Sequence, residues 1–267
     1  MKRTLRFAIL HWLGPLLLLG TTPHALAQPV PPAMQIQPRP ATDRAGTPAA
    51  SAHGAPMTTQ AQPAKPKTKK LGIVIFPGFE TLDVFGPVQM WGRLPDYELV
   101  MVSEHGGAVT SAQGVATVTT YSFATAPQLE ILMIPGGMGT RTEVDNPVML
   151  EFLRRQDEGT EWTTSVCTGS AVLAKAGLLK GRAATSNKLA YKFATSQDPE
   201  VHWRSSARWV VDGKYITSSG VSAGTDMALG LVEKLYGRAV AERIAHGAEY
   251  AWNDDPANDP FAVADGK

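Results

Sequence analysis

The chain has 267 residues, of which 43% are hydrophobic, and a formal net charge of +1 that conceals two oppositely charged parts. Residues 1–70 carry nine Lys and Arg with one Asp, whereas residues 71–267 carry 16 Lys and Arg with 23 Asp and Glu. The acidic excess of the second part argues against nucleic-acid binding, because nucleic acids attract basic surfaces.

The N-terminal residues have the pattern of a secretion signal. Lys2, Arg3 and Arg6 precede an apolar stretch, and residues 25–27 read Ala-Leu-Ala, the small-residue pattern of a signal cleavage site. The apolar stretch is shorter than the roughly 20 residues that cross a bilayer. We therefore expect residues 1–27 to be a Sec-type signal peptide of a bacterial protein that is periplasmic or secreted and has no membrane span after cleavage.

Residues 28–70 have the composition of a linker. They contain nine of the 20 prolines and few large apolar side chains. Such a segment cannot bury enough apolar surface to offset the entropy cost of ordering, so we predict a disordered Pro/Ala-rich linker. The pattern predicts one globular domain at 71–256, followed by an acidic tail at 257–267.

Strand and helix patterns alternate from residue 71 onward. Buried-strand patterns cover 71–76, 97–103, 129–134 and 161–166. Helical patterns cover 82–91, 147–156, 169–176, 224–236 and 238–250. An antiparallel excursion is predicted near 115–119 and a hairpin around Asp212-Gly213. The alternation predicts an α/β fold with a mostly parallel, doubly wound sheet, in which ligands bind at the carboxyl ends of the strands.

The single cysteine, Cys167, lies between a strand pattern and a helix pattern. One cysteine excludes an intramolecular disulfide, a thiolate zinc cluster and a CxxC redox pair. A helix N-terminus carries partial positive charge, which lowers the pKa of a thiol and favours the thiolate. We therefore predict that Cys167 is a nucleophile, although a lone cysteine is often an inert core residue.

Gly136 and Gly137 come to the same sheet edge as Cys167 and its neighbour Thr168. Gly136 and Gly137 follow a buried strand, and glycines there leave backbone N–H groups open to a ligand, so both are candidate substrate-binding residues. Thr168 follows the cysteine, and its N–H can support negative charge on a substrate atom. The alternative for Thr168 is a hydroxyl that bonds only its own helix, and for the glycines an ordinary turn.

Asp83 is the candidate proton donor. It lies among apolar neighbours, where a carboxyl group needs a partner. If that partner is the thiol, the two groups share one proton, and Asp83 can deliver it as a general acid. The residues alone slightly favour a helix cap, and Glu80 is an alternative acid. The histidines after residue 71 are His105, His202 and His246, and none directly follows the cysteine. We predict structural or exposed roles for His105 and His246, and the alternative is a Cys–His pair formed across the fold.

Four ordered motifs resemble the ThiJ/PfpI superfamily, the class I glutamine-amidotransferase-like proteins. They are residues 73–87, 134–137, 164–170 and 217–226. The resemblance extends over about 70–256 and implies a flavodoxin-like three-layer sandwich, a homodimer and a site without metal or cofactor.

Within this superfamily the chain is similar to the isonitrile hydratase branch. The match consists of Cys167 followed by Thr168 and of Asp83 in a Leu-Asp-x-x-Gly-Pro segment. The resemblance implies that Asp83 and Cys167 hydrate a small-molecule isonitrile to an N-substituted formamide. Thr168 argues against peptidase activity, and Asn187 stands near the place where the branch has a pocket histidine. The alternatives are an exported small-molecule or redox sensor and a glyoxalase-like enzyme that detoxifies carbonyls.

Overall fold

The computed structural model describes residues 68–262, so the predicted signal peptide and most of the predicted linker lie outside the described residues. Within this range the strands are Lys69–Val74 (β1), Tyr97–Ser103 (β2), Gly107–Thr110 (β3), Ala116–Thr119 (β4), Tyr121–Ser122 (β5), Ile131–Ile134 (β6), Trp162–Ser165 (β7), Ala183–Ala184 (β8), His202–Trp203 (β9), Trp209–Asp212 (β10) and Tyr215–Ser218 (β11). The helices are Thr81–Trp91 (α1), Thr140–Glu143 (α2), Pro147–Asp157 (α3), Gly169–Lys175 (α4), Tyr191–Thr195 (α5), Ala223–Tyr236 (α6) and Arg238–Gly247 (α7).

The central sheet is mostly parallel, as predicted. Its seven strands have the order β10-β11-β7-β6-β1-β2-β5, and β10 is the one antiparallel strand of this sheet. The hairpin between β10 and β11 pairs Asp212 with Tyr215, so its two-residue loop is Gly213-Lys214. The predicted excursion is the antiparallel pair of β3 and β4.

Helices cover both faces of the sheet. The chain moves from β1 through α1 to β2 in one direction along the sheet, and from β6 through α3 to β7 in the other. Since such crossovers are right-handed, α1 and α3 lie on opposite faces. Leu71, Ile73 and Ile131 in the middle of the sheet are fully buried. The architecture is the predicted flavodoxin-like sandwich.

Helix α1 is continuous through Gly86 and Pro87, although both residue types are poor helix formers. The glycine is required because a Cβ at Gly86 would lie 2.3 Å from Oγ1 of Thr225 in α6. This close approach brings α1 against α6 and fixes the first turn of α1, which contains Asp83.

The described chain packs on the domain beyond the predicted end at residue 256. The carbonyl of Pro256 accepts hydrogen bonds from the N–H groups of Arg208 and Trp209, and the N–H of Asp259 donates to Ser206. The first residues of the predicted tail therefore belong to the folded unit. Within residues 68–262 we find no helix of sufficient length and hydrophobicity to cross a bilayer.

Candidate active site

Cys167 lies at a strained elbow between β7 and α4. Its φ is +56°, a left-handed conformation that a residue with a Cβ rarely adopts. Its N–H lies 3.2 Å from the carbonyls of both Ser218 and Ser219, and its carbonyl accepts from the hydroxyls of Ser170 and Ser186. These four contacts hold the strained residue in place. The side chain is mostly buried, with 6% of the residue exposed.

The turn after β6 lies directly against this elbow because residue 136 has no side chain. A Cβ at Gly136 would lie 2.6 Å from the nitrogen of Thr168 and 2.7 Å from Cβ of Cys167. Both distances are shorter than any normal contact, so a larger residue would displace the elbow. This close approach explains the glycine better than an open ligand-binding turn does.

Asp83 is completely buried beside the thiol. Its Oδ2 accepts the N–H of Gly136 at 2.8 Å, and its Oδ1 accepts no hydrogen bond within the described structure. The capping prediction is wrong, because Glu80 occupies the N-cap position of α1 and Asp83 bonds to another segment. The alternative acid, Glu80, accepts a hydrogen bond from Gln113 on the surface.

Burial controls the protonation of this pair. It raises the pKa of Asp83 well above its usual value, while the bond from Gly136 and the contact with Cys167 oppose the rise. Burial and then the charge of Asp83 raise the pKa of Cys167, against the opposing effect of Thr168. The predicted lowering of the thiol pKa is therefore wrong for the free protein, because desolvation outweighs the helix N-terminus. Since both pKa values are raised, the pair retains at least one proton at neutral pH.

Thr168 connects the elbow to the turn after β6. Its hydroxyl accepts the N–H of Gly137 at 3.2 Å and lies 3.0 Å from the hydroxyl of Thr140, and it makes no capping bond to its own helix. The expected open N–H groups are therefore occupied, by Asp83 for Gly136 and by Thr168 for Gly137. In this state the two glycines position the acid and the elbow.

A cavity of about 370 Å³ lies next to Gly220, and neither Cys167 nor Asp83 is among its lining residues. It is lined by Leu82, Asn187, Lys188, Leu189, Ser219, Gly220, Val221, Ser222 and Phe261. A Cβ at Gly220 would lie 3.0 Å from Sγ of Cys167 and 2.1 Å from Nδ2 of Asn187. Gly220 therefore brings this cavity next to the sulfur, because a side chain at this position would lie against Sγ. Sequence reasoning missed its role, although it lies in the motif at 217–226.

The histidines do not contribute to this cavity. None of its lining residues is a histidine, and the side chain of His105 is 86% exposed beside Glu104. His105, Glu104 and Glu143 instead line a separate cavity of about 450 Å³. Within residues 68–262 no group of three or more Cys, His, Asp or Glu is placed to hold a metal ion.

Comparison with known proteins places this arrangement in a family. The DJ-1/PfpI family matches residues 69–234. The chain is 34% identical over 201 residues to isonitrile hydratase of Pseudomonas putida, which covers 73% of this chain and 87% of the relative. It is 25% identical over 194 residues to protein dj-1beta of Drosophila melanogaster, with coverage of 70% and 100%. A crystal structure of a ThiJ/PfpI family protein from Pseudomonas syringae superposes with a TM-score of 0.62 at 34% identity, over 70% of this chain and 76% of the other. The chain belongs to the DJ-1/PfpI family.

Proposed function

We propose that the protein is a cysteine-dependent hydratase that converts a small-molecule isonitrile into an N-substituted formamide without a cofactor. The observation that carries this proposal is the buried pair of Asp83 and Cys167, in which an acid with a raised pKa lies beside a thiol. An isonitrile needs both a proton and a nucleophile at its terminal carbon, and the pair offers both. The similarity to isonitrile hydratase supports the same reaction.

The reaction begins with proton transfer and attack at one carbon. The proton shared by the pair moves from Asp83 to the terminal carbon of the isonitrile, and the sulfur of Cys167 forms a bond to that carbon. The product is a thioimidate, in which the carbon carries one hydrogen, a double bond to nitrogen and a single bond to sulfur.

Water completes the reaction. Its hydroxyl adds to the thioimidate carbon and its proton goes to nitrogen, which gives a tetrahedral adduct. The carbon–sulfur bond then breaks with its electron pair on sulfur, the hydroxyl loses its proton to the pair, and the formamide leaves. One water is consumed, and Asp83 and Cys167 return to their starting protonation.

The neighbouring residues position this pair. Gly136 donates its N–H to Oδ2 of Asp83, which opposes the rise that burial causes in the pKa of this carboxyl group. The N–H and hydroxyl of Thr168, the N-cap residue of α4, oppose the rise in the pKa of Cys167. The first interaction therefore favours proton loss from Asp83 to the substrate, and the second favours the thiolate that attacks it.

The direct test compares isonitrile hydration by the full-length protein with that by Cys167→Ala. We expect the purified wild type to form the formamide and the variant to lose it, with Glu80→Gln as a matched control that stays active. Methylglyoxal in a parallel assay tests the glyoxalase-like alternative. Hydration at the wild-type rate by Cys167→Ala would overturn the proposal.

Burial argues against the redox-sensor alternative. Oxidation of cysteine follows thiolate character and exposure, whereas Cys167 is 6% exposed and burial raises its pKa. Slow oxidation by peroxide is therefore expected. Rapid conversion of Cys167 to sulfinate, without isonitrile turnover, would favour the sensor.

We also propose an exported homodimer. Export rests on the N-terminal pattern and is tested by fractionation of expressing cells, with the protein expected outside the cytoplasm. The dimer rests on the family resemblance and on Phe85, which α1 leaves 37% exposed outside the cavity. Light scattering should give twice the chain mass, and a monomer would contradict the proposal.

A further inference from the structure

The last described residues form a strap beside the active-site cavity. We use the term strap for residues 256–262. Pro256 accepts two backbone hydrogen bonds next to β10, and the N–H of Asp259 donates to Ser206 at 2.9 Å. Phe261, near the end of the strap, lines the cavity that Gly220 also lines. The strap therefore connects the edge of the sheet with the site.

A buried carboxylate holds the strap in place. The side chain of Asp259 is 0% exposed, with Oδ1 3.8 Å from Nη1 of Arg208 and Oδ2 3.9 Å from Nζ of Lys188. The same Oδ1 accepts the N–H of Phe261 at 3.0 Å. Neither cation hydrogen-bonds Asp259, since Nε of Arg208 donates to Asp226 at 2.8 Å and Oδ2 of Asp259 accepts no hydrogen bond within the described residues, so both act on it through space. The bond from Phe261 ties the buried carboxylate to the backbone of the aromatic residue.

The cation Lys188 also lines the cavity. It follows Asn187, whose amide lies next to Gly220, and its Nζ donates to Thr185 and to the carbonyl of Ala207. Burial lowers the pKa of Lys188 to about 8, while Asp259 opposes this change. The ammonium is thus mostly protonated at neutral pH. Asp259 therefore joins the strap to the loop that carries Asn187.

The mouth of the cavity has three apolar side chains that the described chain leaves uncovered. Leu82 is 46% exposed, Phe261 is 66% exposed and Leu189 is 99% exposed. These side chains line the same cavity as Gly220, which lies next to Sγ of Cys167. An apolar substituent of a substrate would cover them, which is favourable because apolar surface leaves water.

We propose that the strap determines substrate specificity, with Phe261 as the wall that contacts an apolar substituent and Asp259 as the residue that positions Phe261. This inference rests on the proposed function, which identifies the reaction. It adds how the protein recognises the substituent that does not react. The site would prefer isonitriles with an aromatic or bulky aliphatic group over methyl isonitrile.

The test measures kcat and KM of the full-length protein for benzyl isonitrile and methyl isonitrile. We expect Phe261→Ala to raise KM for benzyl isonitrile about tenfold, which is typical for lost apolar contacts. KM for methyl isonitrile should change little. Val118→Ala removes another exposed apolar side chain, 73% exposed in the β3–β4 hairpin, and serves as the matched control. An unchanged benzyl-to-methyl ratio in Phe261→Ala would overturn the inference.

A double-mutant cycle separates positioning from general stability. Asp259→Asn should raise KM for the benzyl compound as Phe261→Ala does, and the double variant should be no worse than Phe261→Ala alone, because Asp259 acts through Phe261. Additive losses, or equal losses for both substrates, would contradict the positioning role.

Alkylation of Cys167 provides a measurement that needs no turnover. The ratio of its rates with N-benzyl iodoacetamide and iodoacetamide should fall in Phe261→Ala and stay constant in Val118→Ala. If no isonitrile is hydrated but this ratio falls, the proposed reaction is wrong and the strap still selects apolar groups. If hydration occurs and neither the alkylation ratio nor the KM ratio changes, the strap inference alone fails.

Discussion

Replacement of Asp83 by Asn should separate the reactivity of the thiol from catalysis. Asn can still accept the N–H of Gly136, which Oδ2 of Asp83 accepts at 2.8 Å, so the elbow should keep its geometry. The change removes the proton donor and the negative charge beside the sulfur. Since that charge is the second cause of the raised thiol pKa, after burial, we expect the pKa of Cys167 to fall in the variant.

The replacement should slow isonitrile hydration but speed the alkylation of Cys167. A positioned general acid contributes about 10²- to 10⁴-fold to the rate, so kcat/KM for isonitrile hydration should fall by that factor, or by about 3 to 5 kcal/mol of transition-state stabilisation. Alkylation of Cys167 at neutral pH should instead become faster, because more of the sulfur is thiolate.

The assay measures both quantities on the same protein preparation. Formamide production gives kcat/KM, and the pH dependence of iodoacetamide labelling gives the apparent thiol pKa. Glu80→Gln is the control, since it removes a nearby charge but leaves the acid that contacts the thiol. If Asp83→Asn hydrates isonitriles at the wild-type rate, or if its thiol labels only at higher pH than that of the wild type, the assignment of the shared proton is wrong.

Three further predictions concern close contacts and pH. Gly136→Ala places a Cβ 2.6 Å from the nitrogen of Thr168, so urea denaturation should show a loss of about 1–3 kcal/mol together with lost activity; an equally stable, active variant would contradict the packing. In Gly220→Ala the new Cβ would lie 2.1 Å from Nδ2 of Asn187, whose flexible side chain can move away. Activity should therefore fall with little change in melting temperature. Because burial raises the pKa of Asp83, the folded state holds its proton more tightly than the unfolded state, and this group lowers stability as pH rises above its ordinary pKa of about 4. Asp83→Asn should therefore melt higher than wild type at pH 7, with the difference vanishing near pH 4, and equal melting temperatures at pH 7 would refute this.

The sequence predicted the parts of the fold that have long, regular patterns. The strand at 97–103 agrees with β2 to the residue, and the helix predicted at 147–156 is α3, which ends one residue later at Asp157. Short elements such as β5 and β8 have two residues each, too few for any periodicity. They form because the surrounding chain brings them beside a neighbouring strand.

The elements of the site were predictable, but their electrostatics were not. The position of Cys167 between a strand and a helix follows from local patterns, and its positive φ agrees with a sharp turn. The direction of its pKa depends on burial by distant segments, which a linear pattern does not show. A linear pattern also does not show the roles of Gly220 and Asp259. Gly220 lies next to Asn187, and Asp259 lies near Lys188, and both neighbours are distant in the sequence.

The central claim is that Cys167 forms a covalent bond with the isonitrile carbon. Intact-protein mass spectrometry after rapid acid quench tests it most directly. The account predicts that the wild type gains the mass of one isonitrile during turnover, that peptide mapping locates the adduct on Cys167, and that Cys167→Ala gains nothing. Formamide production with no adduct, or the same rate of production by Cys167→Ala, would contradict the account.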